Sequence, residues 1–348
     1  MSVYCFLAIC SSFSDKELKL ISILCVLVTS WLSEELQVGL KQLPTHTSME
    51  KQKNLIAIIG PKGGVGKTSI SANLAIALSR LGKKVVAVDL DLGASNLHAV
   101  FGIRDSKYSL SDFVQNKVKR LSDIIVDTGL KNLGIIRGGD VPGIANMQYQ
   151  KKMKLIRHLS ELGFDLVIMD LAPGVSHNVV DFAIIAKKTL LVTTPEVPSL
   201  LNAYSFIKVA VFRRLTFFFK YKKSFEILEL LERAKDFENY PYLNTMEGFF
   251  REAHEINSEV ADSAKKILSG ITPFVVVNRV RTGKDANTGK VIQGLMQNYL
   301  GIKSSELMTI REDTAVEKAI ARMKPVMTEA PHSPFSRDIE QIARKLCE

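Results

Sequence analysis

From residue 54 the chain alternates between short runs that are apolar on successive residues and longer stretches that are apolar only at helical spacing. "LIAIIG" (55–60) is the first run. Ile70, Leu74, Leu78 and Leu81 then recur as one helical face until Gly82 offers a stop. "KVVAVDLD" (84–91), "LGIIRGG" (133–139), "FDLVIMDLA" (164–172), "KTLLVTTPE" (188–196) and "PFVVVNRV" (273–280) repeat the first pattern, each followed by helix-compatible sequence. Strands buried on both faces read this way, so the pattern predicts an α/β, doubly wound, mostly parallel sheet flanked by helices.

Residues 198–268 break the rhythm with a long helix-compatible stretch, which predicts a helical insertion over about 216–268 between two sheet strands. At the end of the chain, Phe335, Ile339, Ile342 and Leu346 share one helical face that could dock on the sheet or lie on lipid. Few basic residues surround it, which favours docking. Residues 1–53 read as an extension outside the functional domain, which then runs over 54–348. "LKLISILCVLVTSWL" (18–32) is interrupted by Lys19 and Ser22, and its uninterrupted part is too short to span about 30 Å of hydrocarbon. The start lacks a clean signal-peptide pattern. Translation from Met49 would open directly onto the first strand; a helix that binds a partner or touches a membrane is the alternative reading of the extension.

An apolar fraction of 46% with 24% charged residues describes a globular chain, and its formal charge of +10 invites an anionic partner without choosing one. Cys5, Cys10 and Cys25 lie in the first 25 residues and Cys347 is penultimate, so neither a disulfide framework nor a zinc or iron-sulfur site is supported. A reducing, cytoplasmic setting is expected.

The chemistry concentrates in "IIGPKGGVGKTSIS" (58–71), between the first strand and the first helix. A polyphosphate needs inward-turned backbone N–H groups, which glycines allow at such curvature, and a helix N-terminus adds its positive dipole end. Gly63, Gly64, Val65, Gly66, Lys67, Thr68 and Ser69 supply that loop, with Lys67 able to reach the β and γ phosphates and the Thr68 hydroxyl able to ligate Mg²⁺. A dinucleotide loop is the rival, since Asp89 lies about 20 residues on, but it requires glycine where Ser69 stands and leaves Lys67 without a role.

The loop's first position is Pro61, so the strict GxxxxGK[ST] pattern fails. The stretch resembles instead the KGGxGK[ST] loop of the MinD/ParA superfamily of P-loop ATPases. That resemblance implies ATP and Mg²⁺ as cofactors and an ATP-dependent homodimer, in which Lys62 reaches the partner subunit's phosphates. The plainer reading of Lys62 is a solvated loop residue. "DLDLGASN" (89–96) resembles the family's DxDxxxxN element, which matches Asp91 to the acid that orients the attacking water and Asn96 to the switch-region asparagine. Asp170 closes an apolar run, as a Walker B acid holding the Mg²⁺ shell does, and Asp89 and Thr68 join it in the expected metal set. Asn278 matches the adenine-contacting asparagine.

Over about residues 54–346 the likeness is to the MinD/FlhG (FleN) branch, carried by "DLGASNLHAVFGI", "DLAPGVSHNVVDF", "TTPEVPSLLNAYSFIKVAVFRRL" and "TIREDTAVEKAIARMKPVM". It implies a regulatory ATPase that controls the position or number of structures such as flagella or the division site. Its expected partners are a protein that stimulates hydrolysis and, transiently, the inner face of the cell membrane. The insertion, the tail and "SEELQVGLKQL" depart from that branch's pattern. A ParA-like ATPase binding nonspecific DNA is the alternative, ranked below, and rests on Arg213, Arg214, Lys220, Lys222 and Lys223 interleaved with Phe217, Phe218 and Phe219. A cluster-carrier or electron-transfer enzyme lacks the cysteines it needs between Cys25 and Cys347.

Overall fold

Strand β1 (Gln52–Ile59) opens the computed structural model, which describes residues 52–104, 106–139, 147 and 149–348. The extension predicted over residues 1–53 therefore lies outside the described residues up to Lys51. After β1 come α1 (Lys67–Arg80), β2 (Val85–Leu90), the short α2 (Leu97–Val100) and α3 (Leu110–Val114), then β3 (Ile125–Asp127) and β4 (Leu133–Ile136). Next are α4 (Tyr149–Ser160), β5 (Leu166–Leu171), α5 (His177–Ile185) and β6 (Ala186–Thr193). The helices α6 (Val197–Tyr221), α7 (Phe225–Arg233), α8 (Met246–Ile256) and α9 (Ser258–Ser269) separate β6 from β7 (Phe274–Val280). The chain closes with α10 (Gly283–Leu300), β8 (Glu306–Arg311), α11 (Thr314–Ala321), α12 (Val326–Glu329) and α13 (Pro334–Cys347).

The eight strands form one sheet in the order β3-β4-β2-β5-β1-β6-β7-β8, parallel throughout except for the antiparallel edge pair β3–β4. Every predicted strand is present, and β2 is buried at all six positions, as a sheet covered on both faces requires. Two strands carry no continuous apolar run. β3 is two half-buried residues followed by an exposed one. β8 buries only Met308 and Ile310 fully, the alternation of an edge strand with one covered face.

The chain divides into two units, and α6 and α10 each begin in one and end in the other. The sheet unit packs α1 and α13 on its core. α1 ends in a left-handed Gly82 (φ 85°), with Gly82 N–H bonded to the Ser79 carbonyl and Lys83 N–H to that of Leu78, a Schellman closure. Leu81, expected on the helix's apolar face, is instead its C-cap and 44% exposed, because the turn has already left the helical path. On α13, Ser333 caps the first turn and Phe335, Ile339, Ile342 and Leu346 are all buried. In this structure that face docks on the core, and exposing it to water would cost roughly 1.5–3 kcal/mol per side chain. Among the described residues no helix is long and apolar enough to cross a membrane.

The helical unit takes residues 207–271 and 290–303 among those described. Its core is aromatic: the rings of Phe218, Phe219, Phe249 and Phe250 run in successive contacts of 5.1–6.1 Å between centroids. Thr245 and Asn257 cap α8 and α9 by accepting from Gly248 N–H and Val260 N–H. Here the basic cluster differs from the sequence reading. Arg213 is buried with its guanidinium 4.4 Å from the Phe217 ring centre, and burial pulls the pKa of Arg214 below its ordinary value. The interleaved phenylalanines draw the cations inward, leaving Lys222 and Lys223 as the exposed members.

Candidate functional site

The crevice lies where the strand order reverses. β1 has β5 on one side and β6 on the other, so the loop after β1 sits at the topological switch point of the sheet. Gly64 (φ 78°) and Gly66 (φ 95°) take left-handed backbone that side chains resist. A Cβ on Gly63 or Gly64 would meet nothing within 4 Å, which leaves the mouth of the cradle open. A Cβ on Gly66 would lie 2.4 Å from the Asn278 amide nitrogen, so that wall is closed. Gly66 is also the N-cap of α1 and offers no side chain to the first-turn N–H groups, which stay available to an anion.

Lys67 enters α1 with its side chain buried, and burial pulls its pKa down while Asp170 and Asp91 oppose that shift. Asp89 and Asp170 are register partners at the ends of β2 and β5, so two buried carboxylates stand side by side on adjacent strands. Asp89 accepts N–H bonds from Asp91 (3.0 Å), Asn96 (2.9 Å) and Leu97 (3.0 Å), plus the Ser95 hydroxyl at 2.8 Å. Burial nevertheless outweighs those bonds and raises its pKa. Asp170 accepts the Ser71 hydroxyl at 2.9 Å and a bond from Thr68; burial first, and then the Asp89 charge, push its pKa up to about 7.

The donor set answers what a magnesium polyphosphate requires. It combines a glycine cradle open outward, helix N–H groups without a cap, a desolvated ammonium, and a hydroxyl beside two buried carboxylates. Thr68, Asp89 and Asp170 are the residues that could hold a cation, and Gly63 to Ser69 those that could hold phosphates. Asp91 is half-buried at the exit of β2, and Asn96 is exposed with its amide on the Ala94 carbonyl at 2.8 Å. Lys62 is exposed on the loop. The Glu196 carboxyl lies in its field: a Thr194 hydroxyl bond mainly, with the charges of Lys62 and Arg279 adding, holds that carboxyl below its usual range.

Asn278, the residue matched to the adenine-contacting asparagine, stands against the phosphate loop. Its amide donates to the Val65 carbonyl at 2.8 Å and its oxygen accepts from Arg279 N–H at 2.9 Å, so it buttresses the phosphate loop from β7. The sequence reading overlooked Ser71, Ser95 and Gly174. Gly174 N–H holds the Pro61 carbonyl at 2.9 Å, linking the loop after β5 to the residue beside Lys62. Ser71 was within reach of the sequence, since four positions after Lys67 put it on the same helical face.

The raised Asp170 gives a pH signature. A carboxyl whose folded pKa exceeds its unfolded 3.8 favours folding fully below that value and loses the contribution as pH rises through about 7. The magnesium- and nucleotide-free protein should therefore melt higher at pH 6 than at pH 8, and Asp170→Asn should flatten that slope by raising the pH 8 value. Calorimetry that finds the wild-type slope intact in Asp170→Asn would contradict the assignment.

Comparison with known proteins agrees with this geometry. Septum site-determining protein MinD of Thermotoga maritima is 35% identical over 151 residues, covering 43% of this chain and 55% of that protein. Antiactivator FleN of Pseudomonas aeruginosa is 34% identical over 160 residues, 44% of this chain and 55% of FleN. The chain thus spans about half the length of the curated relatives it matches. Among solved structures, MinD of Pyrococcus horikoshii complexed with Mg-ADP aligns with a TM-score of 0.56 at 22% identity over 84% of this chain and 95% of that one. The MinC:MinD complex of Aquifex aeolicus gives 0.57 at 20% identity, over 84% and 96%. At such identities these two establish the fold. The model of the CobQ/CobB/MinD/ParA nucleotide binding domain matches residues 56–326, from β1 to α12, and with that span the chain belongs to this family of nucleotide-binding domains.

Proposed function

We propose that the chain is a regulatory ATPase whose nucleotide state switches its association with partners. The carrying observation is the pairing on one loop of a buried lysine, Lys67, set against Asp170, with an exposed lysine, Lys62, five positions earlier. Lys67, the N–H groups of Gly63 to Ser69 and the start of α1 bind the phosphates; Thr68, Asp89 and Asp170 hold Mg²⁺. That cation, when bound, offsets the charge of the phosphates. Asp91, on the rim beside them, orients the attacking water, and Asp89 fixes the 91–97 turn through its three N–H bonds so that Asp91 and Asn96 keep their places. Asn278 keeps the loop in shape.

The proposal assigns Lys62, exposed on the loop, to the phosphates of a second subunit. A cation delivered only on dimerisation makes hydrolysis conditional on assembly, as an arginine finger does. The two states then differ in affinity for a protein partner or a membrane, and hydrolysis resets them. Likeness to MinD and FleN supports a role in placing or counting a cellular structure such as the division site or flagella, and the proposed functional domain is 54–348 with the helical insertion. The DNA-segregation alternative keeps Lys222 and Lys223 as exposed cations but not Arg213, which is buried against Phe217.

An Asp91→Ala chain loaded with ATP and Mg²⁺ should accumulate as a dimer and retain a partner in pull-downs that the ADP form releases. Size-exclusion chromatography with light scattering reads the dimer. A chain that stays monomeric under those conditions, with its co-purified partner supplied, rules the switch out.

A further inference from the structure

The buried ion pair of Lys152 and Asp181 takes no part in the crevice chemistry proposed above. Lys152 on α4 and Asp181 on α5 meet at 2.5 Å, with side chains 3% and 1% exposed. Lys152 stands on the buried stripe of α4 with Leu155, Ile156 and Leu159, a position that helical spacing gives to an apolar residue. Asp181 lies in a run with Val179, Val180, Phe182 and Ala183, all of them buried. The cost of taking two charges out of water is offset only by good geometry, and apolar side chains of like volume often fill such a site at equal or higher stability. Stability alone therefore does not account for the pair.

We infer that Lys152 and Asp181 are positioning residues for Lys62, holding α5 at one rotation so that the loop after β5 stays bonded to the residue before Lys62. Residues 179–183 are buried in succession, and five steps of about 100° pass a full helical turn, so apolar burial does not by itself select a rotation of α5. A charge-assisted hydrogen bond to α4 does, because it is directional. Both helices pack on β1, which gives the pair a fixed reference. At its C-terminal end α5 runs straight into β6 at Ala186, and at its N-terminal end it carries residues 172–176. The Ser176 carbonyl accepts from Val180 N–H at 3.0 Å, joining that loop to the residue before Asp181. Gly174, in left-handed backbone (φ 92°), donates to the Pro61 carbonyl at 2.9 Å, and Lys62 follows. Asn278 holds the other side of the phosphate loop at Val65. An exposed side chain that must meet a second subunit's phosphates needs its backbone held in place, and on that reading of Lys62 the inference rests.

The test compares the whole protein with the double variant Lys152→Met, Asp181→Leu, which removes both charges. Lys152→Met alone, in which Asp181 stays buried as the neutral acid, is the second variant should the first not fold, as circular dichroism reports. Hydrogen exchange followed by mass spectrometry on the nucleotide-free chain should show residues 172–176 exchanging at least tenfold faster than in wild type, with β2 unchanged. Nucleotide affinity should stay within a few-fold while dimer-dependent turnover falls at least tenfold. Lys152→Arg, which keeps the pair, should retain turnover. In a Lys62→Ala background, loss of the pair should lower turnover no further. Unchanged exchange over 172–176 overturns the inference, as does wild-type turnover without the pair. So do nucleotide affinity that falls in step with turnover and a further tenfold loss beyond Lys62→Ala, since each makes the pair act elsewhere than on Lys62. Failure of both variants to fold overturns it too, by making the pair a requirement of the fold itself. Exchange needs neither nucleotide nor dimer, and Lys62→Ala by itself reports on the reading of Lys62, so the two failures are distinguishable.

Discussion

Lys67→Ala should lose nucleotide affinity by about a hundredfold or more while keeping its fold. Hydrogen bonds to charged groups contribute about 1.5–3 kcal/mol each, and an ammonium that reaches two phosphates makes two of them, which is a factor of about 10² to 10⁴ in Kd. The cradle of backbone N–H groups remains, so residual weak binding is expected. The fold survives because burial already disfavours the Lys67 charge, as its lowered pKa indicates. What the ammonium gives up in solvation is returned mainly by ligand. Asp170 loses a nearby cation in the variant and its pKa moves further up. Equilibrium binding of a fluorescent ATP analogue checks the prediction, and affinity within a few-fold of wild type would remove Lys67 from the site.

Lys62→Ala should have the opposite profile: nucleotide affinity within a few-fold of wild type, with dimer-dependent turnover down on the order of 10³, the lower end of what a finger residue contributes. Lys62 is exposed and lies outside the run of N–H groups that leads into α1, so its removal leaves the cradle intact. Any field it exerts on Glu196 is a solvent-screened interaction of small weight. Its large effect can come only from the dimer, where water is excluded and the same charge acts at lower dielectric. Steady-state turnover with nucleotide binding measured alongside separates the two effects. Retained hydrolysis in this variant would make Lys62 a solvated loop residue.

Much of this architecture is legible in the chain because its strands announce themselves. "VVAVDL" and "LVIMDL" are apolar on successive residues since both faces are covered, and each carries, one residue before its end, the acid that the sheet then sets beside the other. The phosphate loop is legible because left-handed turns need glycines and the motif keeps Gly64 and Gly66 where they occur. β3 and β8 were hidden for the converse reason: edge strands bury one face, and a short alternating pattern looks like loop. Asn278 shows another limit. Its place after "FVVV" puts it at the crevice, but its hydrogen bond to Val65 joins residues 213 apart, and no local pattern encodes such a pair. The basic cluster at 213–223 is a surface only in part, since Lys222 and Lys223 are exposed and Arg213 is buried. With Phe217, Phe218 and Phe219 drawn into the core, Arg213 follows them and its charge rests against a ring.

The account turns on Lys62 serving the opposite subunit, and mixing two inactive variants tests that directly. Lys62→Ala keeps Asp91 and lacks the donated cation; Asp91→Ala keeps Lys62 and lacks the water-orienting acid. In an equal mixture, heterodimers contain one complete site, built from the Asp91 of one chain and the Lys62 of the other, and turnover should return to about a quarter of the wild-type rate. If Lys62 acted on its own subunit's nucleotide, every site in the mixture would lack one group or the other, and no turnover above that of the separate variants would be seen.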